Sequence, residues 1–320
     1  GCMPLHFTTP GLGGEAITFL HRGQWQVGVA GRRVATNRFY VGDQETESEA
    51  PFGQPLHLRL NSIDLSVRYA VSDRVTATAT VPYFYGTQEI TNADNLRHQS
   101  SNSGIGDVSA GLDMWLISPT SHPDGNVSAG LAVKAPTGAN LASFQFHLPN
   151  ATTVPMTLTP TLQLGDGGWA VLAQLNAFQH LTGPVSAYAS GLYSVSTRTH
   201  TDETFQGLTV AVPDVYTARA GLGFALVPDA GLSVSLGGRI DGTPASDLIG
   251  GRTDYKRDGG YYLYVEPGLA WVAGPNQFTL SVPVRVRAEY FSMRLSDGTL
   301  RPGEGGVNDY IVYAGYSRRF

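Results

Sequence analysis

The sequence predicts an all-β chain: an up-and-down antiparallel β-barrel of about twelve strands that crosses a membrane, with short turns at one end and long loops at the other. Three observations predict it. Only 15% of the 320 residues are charged, with 39 glycines and 10% aromatics, a surface too apolar for an average soluble protein. No stretch approaches the ~18 uninterrupted apolar residues of a membrane helix, because Gly, Pro, Asn and Asp keep interrupting the chain. Apolar side chains instead recur at every second position, which places them on one face of a strand. In lipid each backbone N–H and C=O must be paired within the protein, so a chain that crosses as strands has to close on itself.

The first strand candidates lie near residues 24–40, 56–71 and 74–90. The third is the cleanest, with Val75, Ala77, Ala79, Val81, Tyr83 and Tyr85 alternating with Arg74, Thr76, Thr78, Thr80 and Pro82. In the second, Leu56, Leu58 and Leu60 are out of phase with Ile63, Leu65, Val67 and Tyr69, so a β-bulge is expected between Leu60 and Ile63. Next come 107–117, where Val108, Ala110, Leu112, Met114 and Leu116 share a face, and 126–136. Residues 137–165 carry an alternation of their own from Met156 to Leu164. A thirteenth strand would make the count odd, so this segment is assigned to a loop.

The remaining candidates are 168–181, 184–198, 214–227, 230–242, 260–273, 276–293 and 308–320. Within 276–293, Phe278, Leu280, Val282, Val284, Val286 and Ala288 take one face, and Arg285, Arg287 and Glu289 the other. The connections at Ser72-Asp73, 118–125, Thr182-Gly183, Pro228-Asp229 and Gly274-Pro275 are short. Those beginning near Val41, Thr91, Thr137, Thr199, Thr243 and Arg294 are long. Short and long alternate strictly, which a soluble sandwich has no reason to do. Residues 23–320 form the barrel, and 1–22 form an N-terminal segment that is either periplasmic or folded into the lumen as a plug.

On the outward face, Tyr83, Tyr85, Trp169, Tyr216, Tyr261, Tyr290 and Tyr310 fall toward the long-loop rim. Trp25, Tyr69, Trp271 and Phe320 fall toward the short-turn rim. Amphipathic rings are stable at both membrane interfaces, so two girdles are expected. The same register turns Arg32, Arg59, Arg68, Arg74, Lys134, Arg219, Arg239, Arg285, Arg287 and Arg319 inward, with Asp64, Asp107, Asp113, Asp241, Glu266 and Glu289. Arg59, Arg68, Arg219, Arg239, Arg285 and Arg287, with Glu266, are the candidates for setting solute selectivity. Alternatively these charges are ion pairs that cross-link a filled interior.

A net charge of −5 without any basic run excludes a nucleic-acid interface. The single Cys excludes an internal disulfide framework. Cys2 and His6, with Met3 between them, are the candidate soft metal ligands, but such a grouping at a chain terminus is commonly incidental, and neither a metal nor a cofactor is expected. Gly1-Cys2 resembles the end of a lipoprotein cleavage site, and the retained Gly1 argues against lipidation of Cys2. The eight histidines fall in no Gly-x-Ser-x-Gly turn and no His-Glu-x-x-His helix, so no enzymatic activity is expected.

The chain closes on Tyr316-Ser317-Arg318-Arg319-Phe320. A terminal aromatic after an alternating strand resembles the signal by which the outer-membrane barrel assembly machinery recognises its substrates. Gly104-Ile105-Gly106-Asp107, Pro136-Thr137-Gly138 and Gly165-Asp166-Gly167-Gly168-Trp169 resemble the family of bacterial outer-membrane barrels identified as transporters of the phenol-degradation (MetA-pathway) type. These pieces are spread over most of residues 70–320. The resemblance implies outer-membrane lipid around the barrel and passage of hydrophobic or aromatic compounds, and it implies no particular binding residues. Both termini are expected in the periplasm. The expected function is a channel or facilitator for small, hydrophobic solutes. The alternative is a closed barrel whose loops or N-terminal segment dock another envelope protein.

Overall fold

The computed structural model describes residues 19–46, 57–205, 208–249, 255, 257–294 and 298–320. Twelve antiparallel strands close into a barrel. In chain order they are β1 (Trp25–Val41), β2 (His57–Ala70), β3 (Val75–Thr91), β4 (Arg97–Ile105, resuming as Ser109–Trp115), β5 (Gly125–Lys134) and β6 (Ala170–Thr182). Then follow β7 (Val185–Ser196), β8 (Val215–Val227), β9 (Leu232–Thr243), β10 (Gly260–Ala273), β11 (Asn276–Ser281, resuming as Val284–Tyr290) and β12 (Glu304–Arg319). Each strand pairs with its predecessor, and β12 closes the barrel on β1 from Gln26 opposite Arg319 to Val41 opposite Glu304. No sheet edge is left to be satisfied by lipid.

The alternation is inside-out relative to a soluble protein. Ile63, Leu112, Leu131 and Leu236 on the outer face are 54%, 55%, 65% and 60% exposed, while Asp64, Ser128 and Arg239 on the inner face are buried. β1, at 17 residues, is longer than the ~10 that cross a bilayer. Trp25, Tyr83, Tyr85, Trp169, Trp271, Tyr310 and Phe320 stand exposed on the outer face, and Tyr261 is half-buried there.

The structure corrects the sequence reading at several places. β2 holds continuous register with both neighbours from end to end, with no bulge between Leu60 and Ile63. Leu58 and Leu60 face inward and are buried, because the lumen at that level is itself apolar, and strict alternation then turns Arg59 outward. Arg59 is therefore not a lumen residue. In β11 a bulge is present instead: Leu263 pairs with Arg287 and Tyr264 with Arg285. The extra residue leaves Val286 and Arg287 both exposed. Arg287 is turned to the outer face with Glu289, where its guanidinium lies over the Tyr261 ring and the Tyr261 hydroxyl donates to Glu289. Tyr290, expected in the girdle, is buried inside.

The expected long loop after Thr91 is a tight turn at Asn92–Leu96, with Asn95 at a φ of +62°. The polar run Arg97–Ile105 is strand, paired only to β3 among the described residues. Cys2 and His6 lie outside the described residues.

Candidate functional site in the barrel lumen

The connection from Ala135 to Trp169 is a loop, as expected, but it folds back into the barrel. It contains a small hairpin, Ser143–His147 with Thr153–Thr157, and a 3-10 turn at Pro160–Leu162. Leu158 and Leu162 are 1% and 2% exposed. With Leu164 they pack in one cluster with inward residues of a contiguous stretch of wall from β10 through β12 and β1 to β3, among them Tyr262, Tyr290, Ile311, Val34, Leu60 and Phe84. The Asn102 side chain donates to the Leu162 carbonyl at 2.8 Å. Inward-facing Gly86 leaves the space into which the Leu162 side chain fits. Burying each such leucine contributes roughly 1.5–3 kcal/mol, so the loop is held against the wall at the long-loop end of the lumen as an apolar plug.

The three glycine-rich motifs meet where this loop leaves the wall. Between its two segments β4 gives up its ladder, and Thr137 replaces it: its hydroxyl donates to the Gly106 carbonyl at 2.8 Å and accepts from the Val108 N–H at 2.9 Å. The Gly138 N–H donates to Asp107 at 2.9 Å. A side chain at Gly138 would overlap the Leu164 backbone, and one at Gly165 would overlap Asp107. Lys134 ties the junction together, with its Nζ 2.8 Å from Asp107 and 2.6 Å from Asp166.

Below the plug runs a belt of charge. Arg239 donates to Asp241 at 2.9 Å and to the Tyr313 hydroxyl at 3.0 Å, and Thr217 donates to the same carboxylate at 2.6 Å. Arg219 pairs with Glu266 at 3.3 Å and donates to Ser190 at 3.0 Å. Arg285 reaches Asp309 at 3.0 Å and lies over the Tyr40 ring. These inward cations are thus bound to the barrel itself, as buried charges must be. Arg74 and Arg319 sit at the short-turn rim and donate to backbone carbonyls.

The short-turn half holds a cavity of about 330 Å³. Phe84, Leu164 and Leu172 form its apolar surfaces, and Gln26, Asp113, Gln174, Asn176, Ser190 and Gln277 contribute polar ones. Of the selectivity candidates, Arg68 and Arg219 line it. Arg68 donates to Gln26 at 3.1 Å and forms no ion pair among the described residues. At the mouth, Phe19 of the N-terminal segment sits edge-on against Trp115, with ring centroids 4.9 Å apart, and 5.7 Å from Phe178. The inserted loop and the Phe19 contact are what the sequence did not reveal; the apolar alternation from Met156 to Leu164 was the one visible signal of the former.

No family model matches this sequence, and no curated protein does. Among solved structures, an outer membrane channel from Pseudomonas putida F1 is similar over 98% of this chain and 100% of its own, with a TM-score of 0.67 at 16% identity. A Pseudomonas aeruginosa FadL homologue matches 93% of this chain and 89% of its own, with a TM-score of 0.42 at 11% identity. The P. putida toluene transporter TodX matches 96% and 92%, with a TM-score of 0.44 at 8% identity. At 16% identity the likeness to the P. putida channel is one of fold.

Proposed function

We propose that this protein is an outer-membrane channel or facilitator for small solutes with apolar character, closed in this conformation by the loop between Ala135 and Trp169. The observation that carries the reading is the cavity of about 330 Å³ inside a closed barrel, polar along its walls and capped by the apolar side chains of that loop. Such a chamber suits a solute that sheds water on one side while keeping hydrogen bonds on the other. The similarity in fold to an outer membrane channel supports it. In this reading the short turns and both termini face the periplasm, the long loops face outward, and Phe320 is presented to the barrel assembly machinery. Arg68 and Arg219 are the cations a solute meets in the chamber, and Phe19 against Trp115 supports an N-terminal segment that partly covers its inner mouth. The protein binds solute without transforming it.

Planar-bilayer recording tests the reading. The intact barrel should show small, steady conductance, and replacing residues 143–157 by Gly-Gly should increase it several-fold. A barrel that stays silent in both forms would favour the closed, docking role.

A further inference from the structure

The hairpin of the inserted loop is fastened to the barrel by two stacked histidines. His98, on the inner face of β4, and His147, at the end of Ser143–His147, lie with ring centroids 3.8 Å apart and planes 4° from parallel. His98 Nε2 is 2.7 Å from Asp94 Oδ2. The Asn92 side-chain amide lies 3.1 Å from His147 Nδ1. Parallel rings in adjacent planes do not both direct a nitrogen at one point between them, so this arrangement is not a chelating pair.

We propose that the His98–His147 stack is a pH-sensitive latch, which holds the loop in the lumen at neutral pH and releases it when both imidazoles are protonated. The proposal rests on the channel reading above only for its consequence, not for its geometry. Imidazole is the side chain suited to gaining charge between about pH 8 and 5, within the range a bacterial surface meets. One proton is accommodated, because Asp94 faces His98 as a counter-charge. The second places two like charges face to face at 3.8 Å.

The other charged groups around the pair do not cancel this. Residues 143–157 contain no titratable side chain besides His147. On the β3–β4 hairpin, Glu89 is engaged with Arg97 at 3.3 Å and lies within 4.0 Å of His57, on the opposite face from His98. The strand His200–Phe205, which packs beside Thr153–Thr157, carries Asp202 paired to Arg198 at 2.8 Å. Asp94 is therefore the single carboxylate shown bonded to the pair, and it matches one proton.

Two readouts test the latch on the full-length barrel in lipid, in a Cys2→Ser background. A spin label at Thr152, at the hairpin tip, reports loop mobility, and bilayer recording reports conductance. Lowering the pH from 7.5 to 5 should mobilise the label and raise conductance at least threefold. His147→Gln, which keeps a hydrogen-bonding side chain but cannot charge, should remove both responses. Mobilisation that is lost in His147→Gln but brings no conductance at any pH would uphold the latch and overturn the channel reading. A steady conductance with an immobile label at both pH values, or an unchanged pH response in His147→Gln, would overturn the latch.

Discussion

Lys134 shows how a single residue organises the lumen. One ammonium, 4% exposed, answers two carboxylates that come from different parts of the chain, Asp107 on the wall and Asp166 on the returning loop. Removing it leaves Asp107 buried without a counter-ion, a loss on the order of 3 kcal/mol. Lys134→Ala should therefore lower the denaturant midpoint of the folded barrel, and Lys134→Ala with Asp107→Asn should recover most of it, because the uncompensated charge is then gone. Gly138 acts by size: a Cβ there meets the Leu164 backbone, not a side-chain tip that can swing away. Gly138→Ala should displace the loop, which limited proteolysis would read as faster cleavage between residues 139 and 165 with the barrel intact. Residue-level placement was only partly legible in the sequence. Arg68, Arg219, Arg239 and Arg285 follow from plain alternation. Arg59 and Arg287 do not, because one strand lacked the bulge that its apolar pattern suggested and another had a bulge that its pattern concealed.

Among the elements, the strands that face lipid were legible because lipid imposes one rule on every second residue. Above the lipid that rule lapses. Arg97–Ile105 is a polar strand whose only strand partner among the described residues is β3, so nothing in its composition marks it. The loop from Ala135 to Trp169 is the converse case. Its apolar residues alternate from Met156 to Leu164, yet they form no barrel strand, since they are placed by the shape of the lumen. Leu162→Ala would vacate the space against Gly86 and Leu60. A loss of about 2–4 kcal/mol in loop docking is expected, measurable as faster amide exchange in residues 158–164 with unchanged exchange in β6 to β9. β12 carries the terminal aromatic, with the Arg318 guanidinium over the Phe320 ring. Phe320→Ala keeps the paired backbone bonds between Phe320 and Trp25 and should leave refolding in detergent unaffected, because the ring lies on the outer rim and supports no lumen contact among the described residues.

At the scale of the whole molecule, twelve strands and their closure were legible, since an even count and an outward apolar face are properties of a closed sheet in lipid, although the long connection expected after Thr91 is a five-residue turn. Whether the closed sheet is open inside was not legible, because that depends on which loop turns inward. The three motifs that carried the family resemblance turn out to build that turn: Gly106-Asp107, Thr137-Gly138 and Gly165-Asp166 make one junction between wall and loop. In the proposed function this loop is the closing element of a channel. A disulfide between Asn102→Cys and Leu162→Cys, placed where the two residues already share a hydrogen bond and made in the Cys2→Ser background, tests it most directly in single-channel recording. The barrel should be nearly silent when oxidised and should open steadily after reduction. Equal conductance in the two states would contradict it.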